Sequence, residues 1–288
     1  MLNIGIIGGS GLYQIEDVAN VRQLNLETPF GNTSDSLTVG ELNGAQLIFI
    51  PRHGRGHSLT PSEVPYRANI FALKSLGVNW LISVSAVGSL REELPPGTIV
   101  LPNQYIDRTL NRQRTFFSKG LVAHVSVADP TCQNLRKAIV NAANNVGSSI
   151  KSGATYVCIE GPAFSTRAES NLYRSWGADI IGMTSIPEIY LAREAEIHYA
   201  TIAIVTDYDC WKVGTEAVQA DIVIENFKKN VDNVKKILST IVPEIEAIDS
   251  IKEECRCTQA LAGAILTDHT QIDPQIGETL APLVKNYL

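Results

Sequence analysis

Cysteine is too scarce here to build a disulfide framework: five residues in 288, at Cys132, Cys158, Cys210, Cys255 and Cys257, an odd count without the spacing of a secreted scaffold. Cys255-Arg256-Cys257 is a lone C-x-C without the second pair that a zinc site needs. Free thiols are therefore the first reading, a redox-labile pair the second, and no metal is expected. Positive charge is also short. With 24 Lys and Arg against 30 Asp and Glu, the net charge of −6 offers no surface for nucleic acid or an anionic membrane, although a local site for one small anion remains open. No apolar run reaches the roughly 20 residues of a membrane span, and no early run has the flanks of a signal peptide, which points to the cytoplasm. Internal repeats, low-complexity stretches and linkers are missing too, so the chain reads as one domain. What is there, 44% hydrophobic and 19% charged residues, is ordinary for a soluble enzyme-sized protein.

The most informative stretch is residues 201–211. Thr-Ile-Ala-Ile-Val reads as a strand buried on both faces, as in a parallel sheet, and it gives way to Thr206-Asp207-Tyr208-Asp209-Cys210-Trp211. Open α/β sheets bind ligands at the carboxyl ends of their strands. Two carboxylates at i and i+2 could there hold a donor-rich ring or a proton, since burial raises the pKa of an acid that lacks donors. An Asp that caps a helix or closes a turn is an equally good reading of this stretch alone.

Other strand ends repeat the pattern. Leu2 to Ile7 runs into Gly8-Gly9-Ser10-Gly11, which fails the G-x-G-x-x-G spacing of a dinucleotide site and has no strand-end acid about 20 residues on. Leu37 to Leu42 and Ala45 to Ile50 flank Asn43-Gly44, a hairpin signal that makes the sheet mixed. The second of these strands ends in Arg52-His53-Gly54-Arg55-Gly56-His57, either a solvated charged loop or a cationic site. A helix over 62–76 precedes a strand over 78–84 that ends in Ser85-Ala86-Val87-Gly88-Ser89. A strand over 98–106 leads to a polar, aromatic excursion over 107–124, of the length that often has a function. Ala154 to Ile159 ends in Glu160-Gly161-Pro162-Ala163-Phe164-Ser165, and Ile180-Ile181 in Gly182-Met183-Thr184-Ser185; helices are expected over 131–146, after 165, over 187–196 and over 218–238. Hydroxyls at Ser10, Ser85 and Thr184, with Arg52, His53 and small-residue N–H groups, form a donor set suited to a tetrahedral oxyanion.

Taken in order from about Asn3 to about Ile241, the motifs Gly8-Gly9-Ser10-Gly11, Arg52-His53-Gly54, 160–164, 182–188 and 206–211 resemble the purine nucleoside phosphorylase superfamily. They look most like its 5′-deoxy-5′-methylthioadenosine phosphorylase branch. The resemblance implies a trimer of single α/β domains with a central mixed sheet flanked by helices, methylthioadenosine and inorganic phosphate as substrates, and no metal or organic cofactor. It places the phosphorylase domain at 1–245 and leaves 246–288 as a helical extension on the same domain. Phosphate would meet Ser10, Arg52, His53, Ser85, the Ala86 backbone and Thr184. Met183 would lie against the ribose and Phe164 against the base, with Asp207 and Asp209 as the catalytic acids at its N7 and 6-amino edge. Ser10 and Ser85 stand where relatives often have Thr, and Gly182 where some have Asn. The 5′ end would enter an apolar pocket of Pro61, Ala220 and Val223, closed by His124 of a neighbouring subunit; as an ordinary loop residue, His124 would do nothing there. A 6-oxopurine phosphorylase is the nearest rival, but Ser165 and Asp207 stand where it usually carries Glu and Asn, and a carboxylate accepts from a 6-amino group. A non-catalytic nucleotide-binding protein or a dinucleotide oxidoreductase is more distant.

Overall fold

Asn43 and Gly44 take φ of 50° and 80°, the two left-handed positions that a type I′ turn demands, and the flanking strands meet antiparallel as expected. The computed structural model describes residues 1–9, 11–12, 15, 17–212, 219–251 and 255–288. The chain begins with β1 (Asn3–Gly8), β2 (Ala19–Leu24), the short pair β3 (Glu27–Thr28) and β4 (Gly31–Asn32), then the hairpin β5 (Leu37–Leu42) and β6 (Ala45–Pro51). Helix α1 (Tyr66–Ser75) leads to β7 (Trp80–Ser89), β8 (Ile99–Leu101), β9 (Gln104–Arg108), α2 (Gln133–Asn145), β10 (Ile150–Ser152) and β11 (Thr155–Ile159). Then come α3 (Arg167–Ser175), β12 (Ile180–Gly182), α4 (Ser185–Glu194), β13 (His198–Asp207), α5 (Ala220–Ser239) and α6 (Ile241–Ile251). Two short 3-10 turns, Arg256–Gln259 and His269–Gln271, precede α7 (Pro274–Thr279) and α8 (Ala281–Val284).

Among the described residues an 11-stranded mixed sheet runs β10-β8-β13-β7-β1-β6-β5-β2, with β12, β11 and β9 continuing from β7. Its central strands β1, β6, β7 and β13 are largely apolar on both faces because both faces are covered. Ile7, Ile48, Leu81, Ala203 and Val205 pack in one core with α1 and α4, while the alternate residues Ile6, Leu47, Ile82, Ile202 and Ile204 pack in another with α2, α5 and α6. Leu261, Leu280, Leu283 and Val284 of the C-terminal extension belong to the first core, Ile265 bridges Ala123, and the Tyr287 hydroxyl donates to Glu196 at 2.5 Å. These contacts tie residues 261–287 to the first core. Among the described residues no helix is long and apolar enough to cross a membrane.

Three differences from the expected elements bear on the site. Helix α1 begins at Tyr66 rather than at 62, with Pro65 at its N-cap. The strand read over 98–106 is broken at Pro102-Asn103 into β8 and β9, since proline offers no N–H to a ladder. β7 does not stop at Val84: residues 85–88, read as a loop, pair in parallel with 203–207 of β13.

Candidate active site

The parallel register of β1 on β6 sets Gly8 beside Pro51, and the Arg52 N–H donates to the Gly8 carbonyl at 2.9 Å. The first glycine loop and the Arg52 loop are thereby one structure. β7 lies next to them, and its two edges differ. On one edge it pairs with β13 along its length; on the other it pairs with β1 from Trp80 to Ser83 and then with β12 at Gly88 and Ser89. Among the described residues no strand pairs with Val84 to Val87 on that second edge, so the sheet opens beside Ser85 and Ala86. The Ser85 hydroxyl and the Thr184 hydroxyl, 4% and 8% exposed, have no hydrogen-bond partner among the described residues. Buried hydroxyls are normally satisfied, so these two, at different strand ends, are free to donate to an acceptor. Ser10, expected beside them, lies outside the described residues.

Arg52 is buried, and its fork is turned on Glu188 rather than left open: Nε donates to Oε1 at 2.5 Å and Nη2 to Oε2 at 3.2 Å, with further bonds to Ser83 Oγ at 2.6 Å and the Val84 carbonyl at 3.0 Å. Burial alone would lower the guanidinium pKa; the charge and hydrogen bond of Glu188 outweigh it and hold Arg52 above its usual range. Glu188 also accepts from Ser83 Oγ at 2.8 Å and Tyr199 Oη at 3.2 Å. Glu188 has no role legible in the sequence beyond one signal, an acid set among apolar neighbours.

Both guanidinium groups of the loop 52–57 meet carboxylates, Arg52 at Glu188 and Arg55 at Asp35. Arg55 faces Asp35 at 3.5 Å, and His53 is neutral. Its Nδ1 bears the proton donated to the Leu59 carbonyl at 2.8 Å, and burial followed by the Arg52 charge lowers its pKa from 6.5 to about 4. Protonation is thus favoured in the unfolded chain from about pH 6.5 down to about pH 4, and His53 makes folding less favourable as pH falls through that window. Glu194, whose carboxyl burial pushes up to about 7, acts in the opposite direction, so variant and parent must be compared. A His53→Asn variant is expected to lose less thermal stability than the parent between pH 6.5 and 4; equal losses would refute the neutral assignment.

At the end of β13 the ladder shifts between Val205 and Asp207, a bulge that sets Asp207 opposite Gly88. Asp207 Oδ1 accepts the Asp209 N–H and Oδ2 the Thr206 hydroxyl, both at 2.7 Å. Burial pushes the Asp207 carboxyl upward against the pull of these two donors. Asp209 is 4% exposed at φ 50°, and the Ser165 hydroxyl lies 2.9 and 2.8 Å from its two oxygens. A Cβ on Gly88 would stand 3.0 Å from Asp207 Oδ1 and 3.3 Å from Asp209 Cβ, so the glycine makes room for both acids.

Met183 meets the same region: its Sδ lies 2.6 Å from where a Cβ on Gly161 would stand, and Pro61 lies 3.4 Å from that point. Met183 and Pro61 are therefore neighbours, as a ribose contact and a 5′ wall would be. Phe164 is 43% exposed. Ala220 and Val223 open α5, which is latched to the end of β13 by Asn226 Nδ2 donating to the Thr206 carbonyl at 2.8 Å. His124 is exposed, with its N–H on the Ala264 carbonyl at 2.9 Å. The sequence reading missed Arg112, a buried positioning residue inside the excursion. Its Nη1 donates to the Met183 carbonyl at 2.6 Å and the Ile186 carbonyl at 2.5 Å, and its Nη2 to the Glu160 carbonyl at 2.6 Å. It fixes two of the strand-end loops against each other.

Orphan hydroxyls at an opening in the sheet and paired acids at the end of the neighbouring strand are groups that can hold an oxyanion and a hydrogen-bonding ring. The family model described as the phosphorylase superfamily matches residues 3–243, and the chain belongs to that superfamily. It is 51% identical over 286 residues to the S-methyl-5′-thioadenosine phosphorylase of Geobacter sulfurreducens, covering 99% of each chain. A crystal structure of a methylthioadenosine phosphorylase from an antarctic soil metagenomic library superposes with a TM-score of 0.91 at 50% identity, over 98% of this chain and 99% of that one. The methylthioadenosine phosphorylase of Schistosoma mansoni, in complex with adenine, gives 0.81 at 36% identity over 99% of this chain and 98% of that one.

Proposed function

We propose that the chain cleaves 5′-methylthioadenosine with inorganic phosphate to adenine and 5-methylthioribose 1-phosphate. The observation that carries this reading is the juxtaposition, across β7 and β13, of a half-buried acid with a raised pKa and a buried, unpartnered hydroxyl. Phosphate takes hydrogen bonds from Ser85, Thr184 and the Ala86 N–H, with Ser10, His53 and Arg52 around it. One of its oxygens bonds to C1′ as the bond from C1′ to the purine breaks. The bonding pair passes into the ring, and Asp207 supplies a proton or a strong hydrogen bond at N7, help worth about 10²–10⁴ in rate. Negative phosphate beside the oxocarbenium-like centre stabilises it, and holding both substrates in line adds a proximity term. Asp209, steadied by Ser165, accepts from the 6-amino group; a 6-oxo group would set lone pairs against it. Phosphate is a second substrate and the scheme uses no cofactor.

Three such chains form a trimer in this reading, and His124 crosses to a neighbour's 5′ pocket of Pro61, Ala220 and Val223. A methylthio group gains affinity there by burial, whereas a 5′-hydroxyl would be desolvated with few partners. The enzyme works in the cytoplasm. The test is adenine release from methylthioadenosine with and without phosphate. Release should require phosphate, and Ser85→Ala or Thr184→Ala should raise the phosphate KM about tenfold or more, a charged hydrogen bond being worth about 1.5–3 kcal/mol, with little change in the nucleoside KM. Phosphate-independent release, or none, would overturn the reading. Dilution until the trimer dissociates should abolish turnover; a fully active monomer would remove the shared pocket.

A further inference from the structure

Cys255 and Cys257 are not the isolated pair that their spacing suggests. Cys132, 123 residues earlier, and His198, at the first position of β13, close on them, and the four ligand atoms lie within 4.8 Å of one another. Cys132 Sγ is 3.2 Å from His198 Nδ1 and 3.6 Å from Cys255 Sγ; Cys255 Sγ is 3.5 Å from His198 Nδ1 and 3.0 Å from Cys257 Sγ. All five cysteines are free thiols.

We propose that Cys132, His198, Cys255 and Cys257 form a structural zinc site that fastens the C-terminal extension to the sheet. Three soft sulfurs and one imidazole are a tetrahedral zinc set. With Zn–S bonds of about 2.3 Å and Zn–N bonds of about 2.0–2.1 Å, the edges of the tetrahedron measure about 3.8 Å between sulfurs and about 3.6 Å between sulfur and nitrogen. The 3.6, 3.5 and 3.2 Å separations lie close to these values, and the C-x-C pair opens by about 0.8 Å to reach them. Ligand atoms this close admit one ion and exclude a cluster. Four protein ligands, most of them buried, leave no position for substrate.

The surroundings suit a metal with three thiolates, whose net charge is −1. Arg193 Nη1 donates to Cys257 Sγ at 3.6 Å from a buried position, and Cys132, as N-cap of α2, accepts the Leu135 N–H at 3.4 Å. Trp80 stacks on the His198 ring at 4.0 Å and fixes its plane. The site stands at the opposite end of β13 from Asp207, about 30 Å away at about 3.3 Å per residue, so its work is structural.

Elemental analysis of the purified protein, expressed in zinc-supplemented medium, is expected to find about one zinc per chain. Cobalt reconstitution should give the intense visible bands of tetrahedral thiolate coordination. Cys255→Ser should lose the zinc and Cys158→Ser should keep it. Should Cys255→Ser fail to fold, chelation of the parent protein serves instead: it should lower the melting temperature by several degrees while adenine release at low temperature persists. A metal-free protein lighter by two hydrogens, with Cys255 joined to Cys257, would overturn the proposal; so would zinc unaffected by Cys255→Ser. Neither result bears on the phosphorylase reading, which has its own assay.

Discussion

Asp207→Asn is expected to lower adenine release from methylthioadenosine by about 10²–10⁴-fold while leaving the melting temperature nearly unchanged. The structure explains why the loss should be confined to chemistry. An Asn oxygen in the place of Oδ1 keeps the Asp209 N–H, and the amide nitrogen then faces the Thr206 hydroxyl in the place of Oδ2. That hydroxyl already lies 3.2 Å from the Val87 carbonyl and can turn its proton there. Packing is therefore conserved, but an amide cannot transfer a proton to N7. It offers donors toward the base instead, so hypoxanthine release from 6-oxopurine nucleosides should rise relative to adenine release. An unchanged ratio of the two would sink the assignment of Asp207.

The second large effect concerns Glu188. Glu188→Leu should destabilise the fold by about 3–5 kcal/mol, because Arg52 remains buried with its charge unanswered. Removing both charges, Arg52→Met with Glu188→Leu, should recover much of that loss, since a buried pair contributes little net stability against apolar residues of similar volume. The double variant separates two roles of Arg52. If Arg52 only joins strand ends, the phosphate KM returns toward the parent value as stability does. If it also binds phosphate, as proposed, stability recovers and the KM stays raised by about tenfold or more. Thermal melts read beside phosphate titrations decide between them.

Most of the scaffold was legible in the sequence because its signals are local. Asn43-Gly44 dictates its hairpin, and the apolar runs over 2–7 and 201–205 announce strands that the structure covers on both faces and extends to Asn3–Gly8 and His198–Asp207. The strand-end motifs pointed to the site, and the family resemblance gave them roles. What stayed hidden depends on partners far away in the chain. Arg52 read as an open fork because Glu188 lies 136 residues on. Small residues carry no strong propensity, so residues 85–89 read as a loop until β13 paired with them. Cys255-Arg256-Cys257 read as a lone pair for the same reason, its companions lying at Cys132 and His198.

β13 holds a consequence of a different kind. Alternation of apolar and polar residues is what normally tells a strand which way to face, and a slip by one position is costly because it inverts that alternation. From Ile202 to Val205 every residue is apolar and buried, so the middle of β13 says nothing about parity. Its alignment is set at its ends. His198 donates its N–H to the Asn79 carbonyl at 2.8 Å, and beyond the bulge the Thr206 carbonyl accepts from Asn226. A single deletion beyond Val205 would therefore move Asp207 from its place opposite Gly88 while leaving the apolar residues before it in their two cores.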